Sequence, residues 1–239
     1  MTGSSPEADP GRATSPVPPL MLLLVRHAEQ ATMLELDPDL SDRGREQAEL
    51  LGERLASLPV TAVVASSMRR AQQTAAPLAR RLGLEVETEP DIDEIRMSAQ
   101  EMRARFSRTS ARTMEPDPDD YTSSAMGAVR VVPRFVWPTG GEGESGDDLR
   151  ARATTALDAV IARHPGGVVV CVAHGGLISA ALGSWLGITK DMWFVPWHTG
   201  ISAVVADGDQ RTLLGVNDAS HLAVGQDILG LVSTSLELL

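Results

Sequence analysis

A chain of 239 residues that is 43% hydrophobic holds enough apolar mass for one substantial core, and with only 3% aromatic residues aliphatic side chains must fill most of it. A formal net charge of -11 argues against a nucleic-acid partner, which needs a broad basic surface, yet leaves room for a small anion held by a few arginines. The single cysteine, Cys171, excludes an intramolecular disulfide, and no apolar run is long enough to span a bilayer, so a cytoplasmic protein with no membrane partner is expected.

Residues 1–19 are rich in Pro, Ser and Gly without apolar periodicity and read as a disordered leader, ahead of a domain running from 20 to 239. Leu20–Val25 reads as a buried strand. SDRGREQAELLGERLASL then predicts a helix capped by Ser41 or Asp42, with Ala48, Leu51 and Leu55 on one face. Thr61–Ala65 is a second buried strand. MRRAQQTAAPLARRLG predicts a helix with Ala71, Ala75, Leu78 and Leu82 on one stripe, a kink at Pro77 and a stop at Gly83. The stretch from about 97 to 139, with its arginines, methionines and the acidic turn EPDPDDY, interrupts the alternation and reads as an inserted lid. Ser145 and Asp148 form a capping-box pattern for a helix reaching about Arg163. Val168–Ala173 is a third buried strand, followed at once by the helical pattern GGLISAALGSWLG. Ile201–Ala206 and Arg211–Val216 form a hairpin through DGDQ. Trp185, Trp193, Phe194 and Trp197 read as core or as an interface, which leaves a homodimer open.

Strand–helix alternation predicts a three-layer α/β/α sandwich with a mostly parallel central sheet and an inserted helical lid segment. In such sheets ligands bind beyond the carboxyl ends of the strands. There the three buried runs end in Arg26-His27, Ser66-Ser67-Met68-Arg69-Arg70 and His174-Gly175-Gly176. One strand-end histidine is more often a surface or core residue than a catalyst. Two, arriving at one edge with arginines, point to a phosphate. Guanidinium groups bind phosphoryl oxygens in bidentate fashion, and their charge should lower a neighbouring imidazole's pKa, which keeps the ring neutral and nucleophilic. One of Arg69 and Arg70 is expected to be an ordinary solvated helix charge.

GEGESG, residues 141–146, satisfies the dinucleotide glycine pattern but follows no buried strand, and its two glutamates would repel a pyrophosphate. HGG lacks the glycine-flanked nucleophilic serine of an esterase elbow. Five histidines without helical ligand spacing and one cysteine suggest no metal and no cofactor.

LLLVRHAEQ, LSDRGREQA, ASSMRRAQQTA, GESGDDLRAR, VVVCVAHGG and VNDASHL occur in the order and spacing of the histidine phosphatase superfamily, which includes the cofactor-dependent phosphoglycerate mutases, and the chain resembles that family from Leu20 to Leu222. The resemblance implies that His27 is the phosphorylated histidine. It makes Arg26 and Arg70 the phosphate-binding arginines, and His174 the second histidine holding the phosphoryl oxygens. The family's proton donor lies in an L-x-E context similar to Ile92-Asp93-Glu94, which makes Glu94 the candidate acid, with Asp93 and Glu101 as alternatives. The chain departs from the pattern at Ala28, where glycine is common, at Ser67, where proline is usual, and at RMSAQEM, which lacks the family's glycines.

The expected activity is a phosphomonoesterase acting on a small anionic phosphoester through a phosphohistidine, without a metal. A mutase usually carries tryptophan–asparagine after the first histidine and asparagine–serine after the second HG, and neither stands here. A non-catalytic phosphate-binding module on the same fold is the other alternative. Arg103, Arg105, Arg108 and Arg112 in the insertion either select a second anionic group or solvate a helix.

Overall fold

The computed structural model describes residues 18–32, 35–97, 143–190 and 192–223. The inserted segment, Glu101 and its arginines lie outside them, apart from Met97. Among the described residues six strands form one sheet: β1 (Leu20–Arg26), β2 (Val60–Ala65), β3 (Val86–Thr88), β4 (Val168–Ala173), β5 (Ile201–Asp207) and β6 (Gln210–Asp218). Their order is β3-β2-β4-β1-β5-β6. The first four are mutually parallel; β5 runs antiparallel to β1, and β6 antiparallel to β5.

Among the described residues four helices cover the sheet: α1 (Asp42–Leu55), α2 (Arg69–Leu82), α3 (Gly146–Arg163) and α4 (Gly175–Trp185). Strand residues alternate strictly between two cores, as the pleat requires. Leu23, Val25, Val63, Ala65, Val170 and Val172 pack against Leu51 and Leu55 of α1 and Ala71, Ala75 and Leu78 of α2. Leu22, Leu24, Ala62, Val64, Val169 and Cys171 face Leu149, Ala153 and Leu157 of α3 and Leu177, Ile178 and Leu182 of α4. Fully burying one such side chain stabilises by roughly 1.5–3 kcal/mol, so the central strands are held from both sides.

Most expected boundaries hold. Ser41 caps α1, accepting from the Gly44 amide. The capping box of Ser145 and Asp148 is formed, and α2 ends at Gly83 with φ 66°. It runs through Pro77 without a break. Strand β3 did not show in the sequence pattern: one half-buried and two exposed residues have no apolar run to announce them. Of the aromatic group, Trp185, Trp193 and Phe194 pack on the α3/α4 core, whereas Trp197 is exposed. Among the described residues no helix is long and apolar enough to cross a membrane.

Candidate active site

Strand β1 ends on Arg26, and His27 follows, its amide donating to the Ala173 carbonyl at 2.9 Å at the end of β4. Side chains from the first two helices fix the next backbone groups. The Ala28 amide donates to Thr74 Oγ1 at 2.9 Å, and the Glu29 amide to Gln47 Oε1 at 2.9 Å. Thr74 in QQTA and Gln47 in REQA therefore hold the turn that presents His27. Gly44 completes the support, since a Cβ there would lie 1.9 Å from the Glu29 carbonyl oxygen.

His27 is buried, and its Nδ1 lies 2.7 Å from the Ala28 carbonyl oxygen. A carbonyl only accepts, so Nδ1 carries the proton and Nε2 keeps the lone pair. Burial pushes the pKa of His27 well below the usual imidazole range, and the charges of Arg70 and Arg26 push the same way. The ring is therefore neutral at neutral pH.

His174 stands beside it, the ring centroids 5.1 Å apart. Arg70 Nη2 lies 3.2 Å from its Nδ1, and a guanidinium only donates. Nε2 then carries the proton and donates to Ser66 Oγ at 2.7 Å, which in turn donates to Asp93 Oδ1 at 2.7 Å. Asp93 also accepts from the Ser67 amide and hydroxyl. The relay Arg70–His174–Ser66–Asp93 is thus continuous, and both ring nitrogens of His174 are engaged by protein. Burial lowers the pKa of His174 as well, reinforced by His27, Arg70 and Arg26.

The two arginines are less fully satisfied. Arg26 Nη1 donates to the Pro196 carbonyl at 2.7 Å; Arg70 Nη1 donates to the Leu36 carbonyl at 3.3 Å and lies 3.7 Å from Asp37. The Nε of each is buried without a hydrogen-bond partner. Burial lowers both pKa values, opposed by the charge of Glu94, but arginine remains protonated. Two buried cationic donors without acceptors, beside two neutral imidazoles, make a site built to receive an anion. Arg69 is the solvated member of the pair, held outside by Asp37 and Asp39.

Glu94 reaches the same site from the loop after β3. Its Oε2 accepts from the Gly176 amide at 3.3 Å, in the first turn of α4, and its Oε1 from the Ile95 amide at 3.0 Å. Asp93, the alternative within the described residues, is committed to Ser66 and Ser67, which leaves Glu94 as the carboxylate nearer the arginines' field. A Cβ on Gly175 would sit 3.6 Å from Arg26 Nε, an ordinary contact, so close approach does not by itself demand glycine there.

The sequence pattern missed a third imidazole. His198 lies with its centroid 5.8 Å from that of His27, its pKa pushed down to about 4 by burial and by Arg26. It sits just before β5, and an antiparallel strand beginning beside β1 starts at the edge where the parallel strands end. Next to it Thr199 has φ 56°, a costly conformation for a β-branched residue. Its amide donates to the Arg26 carbonyl at 2.9 Å, and its Oγ1 lies 2.9 Å from His221 Nε2. Asn217 Oδ1 accepts from the Trp197 amide at 2.6 Å. Thus VNDASHL, at the end of β6, braces the backbone of Arg26 and the turn that carries His198.

Proteins of similar sequence and fold are known. The sequence profile described as the histidine phosphatase superfamily (branch 1) matches residues 22–219. Phosphoglycerate mutase-like protein 4 of Arabidopsis thaliana is 31% identical over 215 residues, which are 84% of this chain and 86% of the relative. YhfR of Bacillus stearothermophilus superposes with a TM-score of 0.66 at 20% identity, covering 85% of this chain and 99% of that one. A mycobacterial glucosyl-3-phosphoglycerate phosphatase superposes with a TM-score of 0.61 at 23% identity, covering 83% and 99%. With the profile spanning both histidines, both arginines and the bracing VND element, the chain belongs to the histidine phosphatase superfamily.

Proposed function

We propose that this protein is a metal-independent phosphomonoesterase that hydrolyses a small phosphorylated metabolite through a phosphohistidine on His27. The observation that carries the reading is the pair of buried, unpartnered guanidinium Nε donors beside an imidazole whose Nε2 lone pair is free of a proton. Nε2 of His27 attacks phosphorus in line, forming the N–P bond as the P–O bond to the alcohol breaks. Arg26 and Arg70 stabilise charge on the equatorial oxygens, the preorganised electrostatics that phosphoryl transfer chiefly needs. His174, whose Nδ1 accepts from Arg70, orients that guanidinium toward the phosphoryl oxygens. Glu94 passes a proton to the leaving oxygen, then takes one from the water that attacks the phosphohistidine. Inorganic phosphate leaves and His27 is regenerated.

Turnover of an aryl phosphate by the wild-type chain and by His27→Ala tests this. A loss of at least about 10³-fold is expected, together with an acid-labile phosphoryl label that His27→Ala does not take up, because removing a nucleophile collapses the whole mechanism. Activity should persist in a chelator. Equal background rates for the two proteins would make the chain a phosphate-binding module instead. Since one relative carries a phosphoglycerate mutase-like name, the acceptor must also be followed. Label passing to a monophosphoglycerate, rather than to water, would replace hydrolysis by mutase chemistry.

A further inference from the structure

One residue of the GESGDDLRAR segment holds the acid loop. Between the short 3-10 turn Pro90–Ile92 and Met97, the chain carrying Glu94 has no regular secondary structure. Such a segment would ordinarily move, because its backbone groups lack ladder partners. Here they are bound by one side chain. Arg152, in the second turn of α3, donates through Nη1 to the Asp91 carbonyl at 2.8 Å and the Asp93 carbonyl at 2.9 Å. Its Nη2 donates to the Glu94 carbonyl at 3.4 Å. Nε and the second Nη2 proton form a bidentate pair with Glu144, both at 2.6 Å. Five N–H groups thus meet five acceptors, the full capacity of a guanidinium.

Glu144 grips the loop from the other side. Its amide donates to the Arg96 carbonyl at 2.7 Å, and its Oε2 accepts from the Arg96 amide at 3.0 Å. The ion pair is largely shielded from solvent, the two side chains being 11% and 9% exposed. Ile92 and Ile95 plug the same stretch into the α3/α4 core, so Glu94 sits between two apolar anchors and beneath a charged one.

We infer that Arg152, paired with Glu144, is a positioning residue for proton transfer: it sets where the Glu94 carboxyl stands relative to the leaving oxygen, without touching substrate. The inference rests on Glu94 acting as the acid in the proposed hydrolysis. Lysine cannot replace it, since an ammonium has three donors and no planar fork to span a carboxylate and three carbonyls.

The test uses a series of phosphate monoesters whose alcohols run from 4-nitrophenol, which leaves without a proton, to simple alkyl alcohols, which do not. The reading is kcat/KM, so that breakdown of the phosphohistidine does not intrude. Arg152→Met is expected to lower the alkyl ester about 10–100-fold, part of what a general acid contributes, and 4-nitrophenyl phosphate by under about 3-fold. The dependence on leaving-group acidity steepens accordingly. Glu94→Gln should steepen it as much or more, and the double variant no further than Glu94→Gln alone. A loss of equal size on every ester would overturn the inference and leave Arg152 a merely structural residue. Should Arg152→Met fail to fold, Glu144→Gln, which keeps the shape of the pair, gives the same reading in smaller measure, and an unchanged slope in that variant overturns it equally. Acid-labile labelling of His27 by the same esters tests the phosphohistidine separately, so failure of the clamp and failure of the hydrolase reading are told apart.

Discussion

The two halves of the site are built by opposite means. The phosphate cradle of Arg26, His27, Arg70 and His174 stands on strand ends and helix starts, where the backbone is fixed by the sheet and both apolar cores. The acid, Glu94, stands on an irregular loop fixed by a side-chain ion pair. In the first half, position is inherited from secondary structure and survives changes to most individual polar contacts. In the second it depends on Arg152 and Glu144 together. Sensitivity to mutation should therefore be steric in the cradle's supports and electrostatic in the acid's.

The strongest test of the cradle is its glycine support. Gly44→Ala puts a Cβ 1.9 Å from the Glu29 carbonyl oxygen, a backbone atom that cannot swing away. The turn after His27 must then shift, and we expect a cost of more than about 3 kcal/mol, the upper end for overpacking, in urea unfolding. Gly175→Ala is the control on the other wall. There the new methyl makes only an ordinary contact with Arg26, and alanine favours a helix, so stability should stay within about 1 kcal/mol of wild type. Equal effects from the two would mean that the cradle does not lean on the Glu29 turn.

Adjacent residues provide the next contrast. Arg70 is buried against His174, and Arg69 beside it is paired outside with Asp37 and Asp39. A charge-assisted bond contributes roughly 1.5–3 kcal/mol, so Arg70→Ala should lower kcat/KM about 10²-fold, whereas Arg69→Ala should change it by less than about 3-fold. Comparable losses at both positions would place the anion on the outer side of α2 rather than in the cradle.

How much of this was visible beforehand follows from the same division. Strands β1, β2 and β4 advertise themselves as Val- and Leu-rich runs because both of their faces are buried, and the residues after them were found by position alone. His27, Arg70 and His174 converge as the strand ends required. Ser66 stands in a strand-end motif and Asp93 reads as an alternative acid, but their relay to His174 stays hidden, since a relay through a hydroxyl leaves no periodic trace. His198 was missed because it precedes its strand rather than following it; only the antiparallel sense of β5 brings it to the same edge. Arg152 was hidden for a further reason. A mid-helix arginine looks like a solvated charge until the carbonyls it meets are known, and those lie about sixty positions upstream.

Acid titration separates the two halves most finely. His27, His174 and His198 are held neutral in the fold, with pKa values below the ordinary 6.5, while the unfolded chain protonates them as pH falls through that value. The unfolded state then binds more protons, so stability drops as pH falls below about 6.5. For His198 the drop ends near its folded value of about 4. The acid loop behaves differently. Burial raises the pKa of Glu144, but the Arg152 hydrogen bonds outweigh it and leave it below the ordinary 4.5. Its contribution is intact above that value and is lost only as pH falls further, through the folded pKa. Between pH 7 and pH 5 the loss should therefore come from these imidazoles and from His221, whose pKa burial lowers as well, and not from Glu144. His198→Asn, which removes one of them at the rim without emptying the cradle, should recover about 1 kcal/mol of the loss at most, because the ring is partly open to solvent. Urea unfolding at the two pH values reads it directly. A wild-type stability that stays flat to pH 5 would mean that the imidazoles take up protons in the fold as readily as in the unfolded chain, and His27 would then lose the lone pair that attacks phosphorus as pH falls through about 6.5.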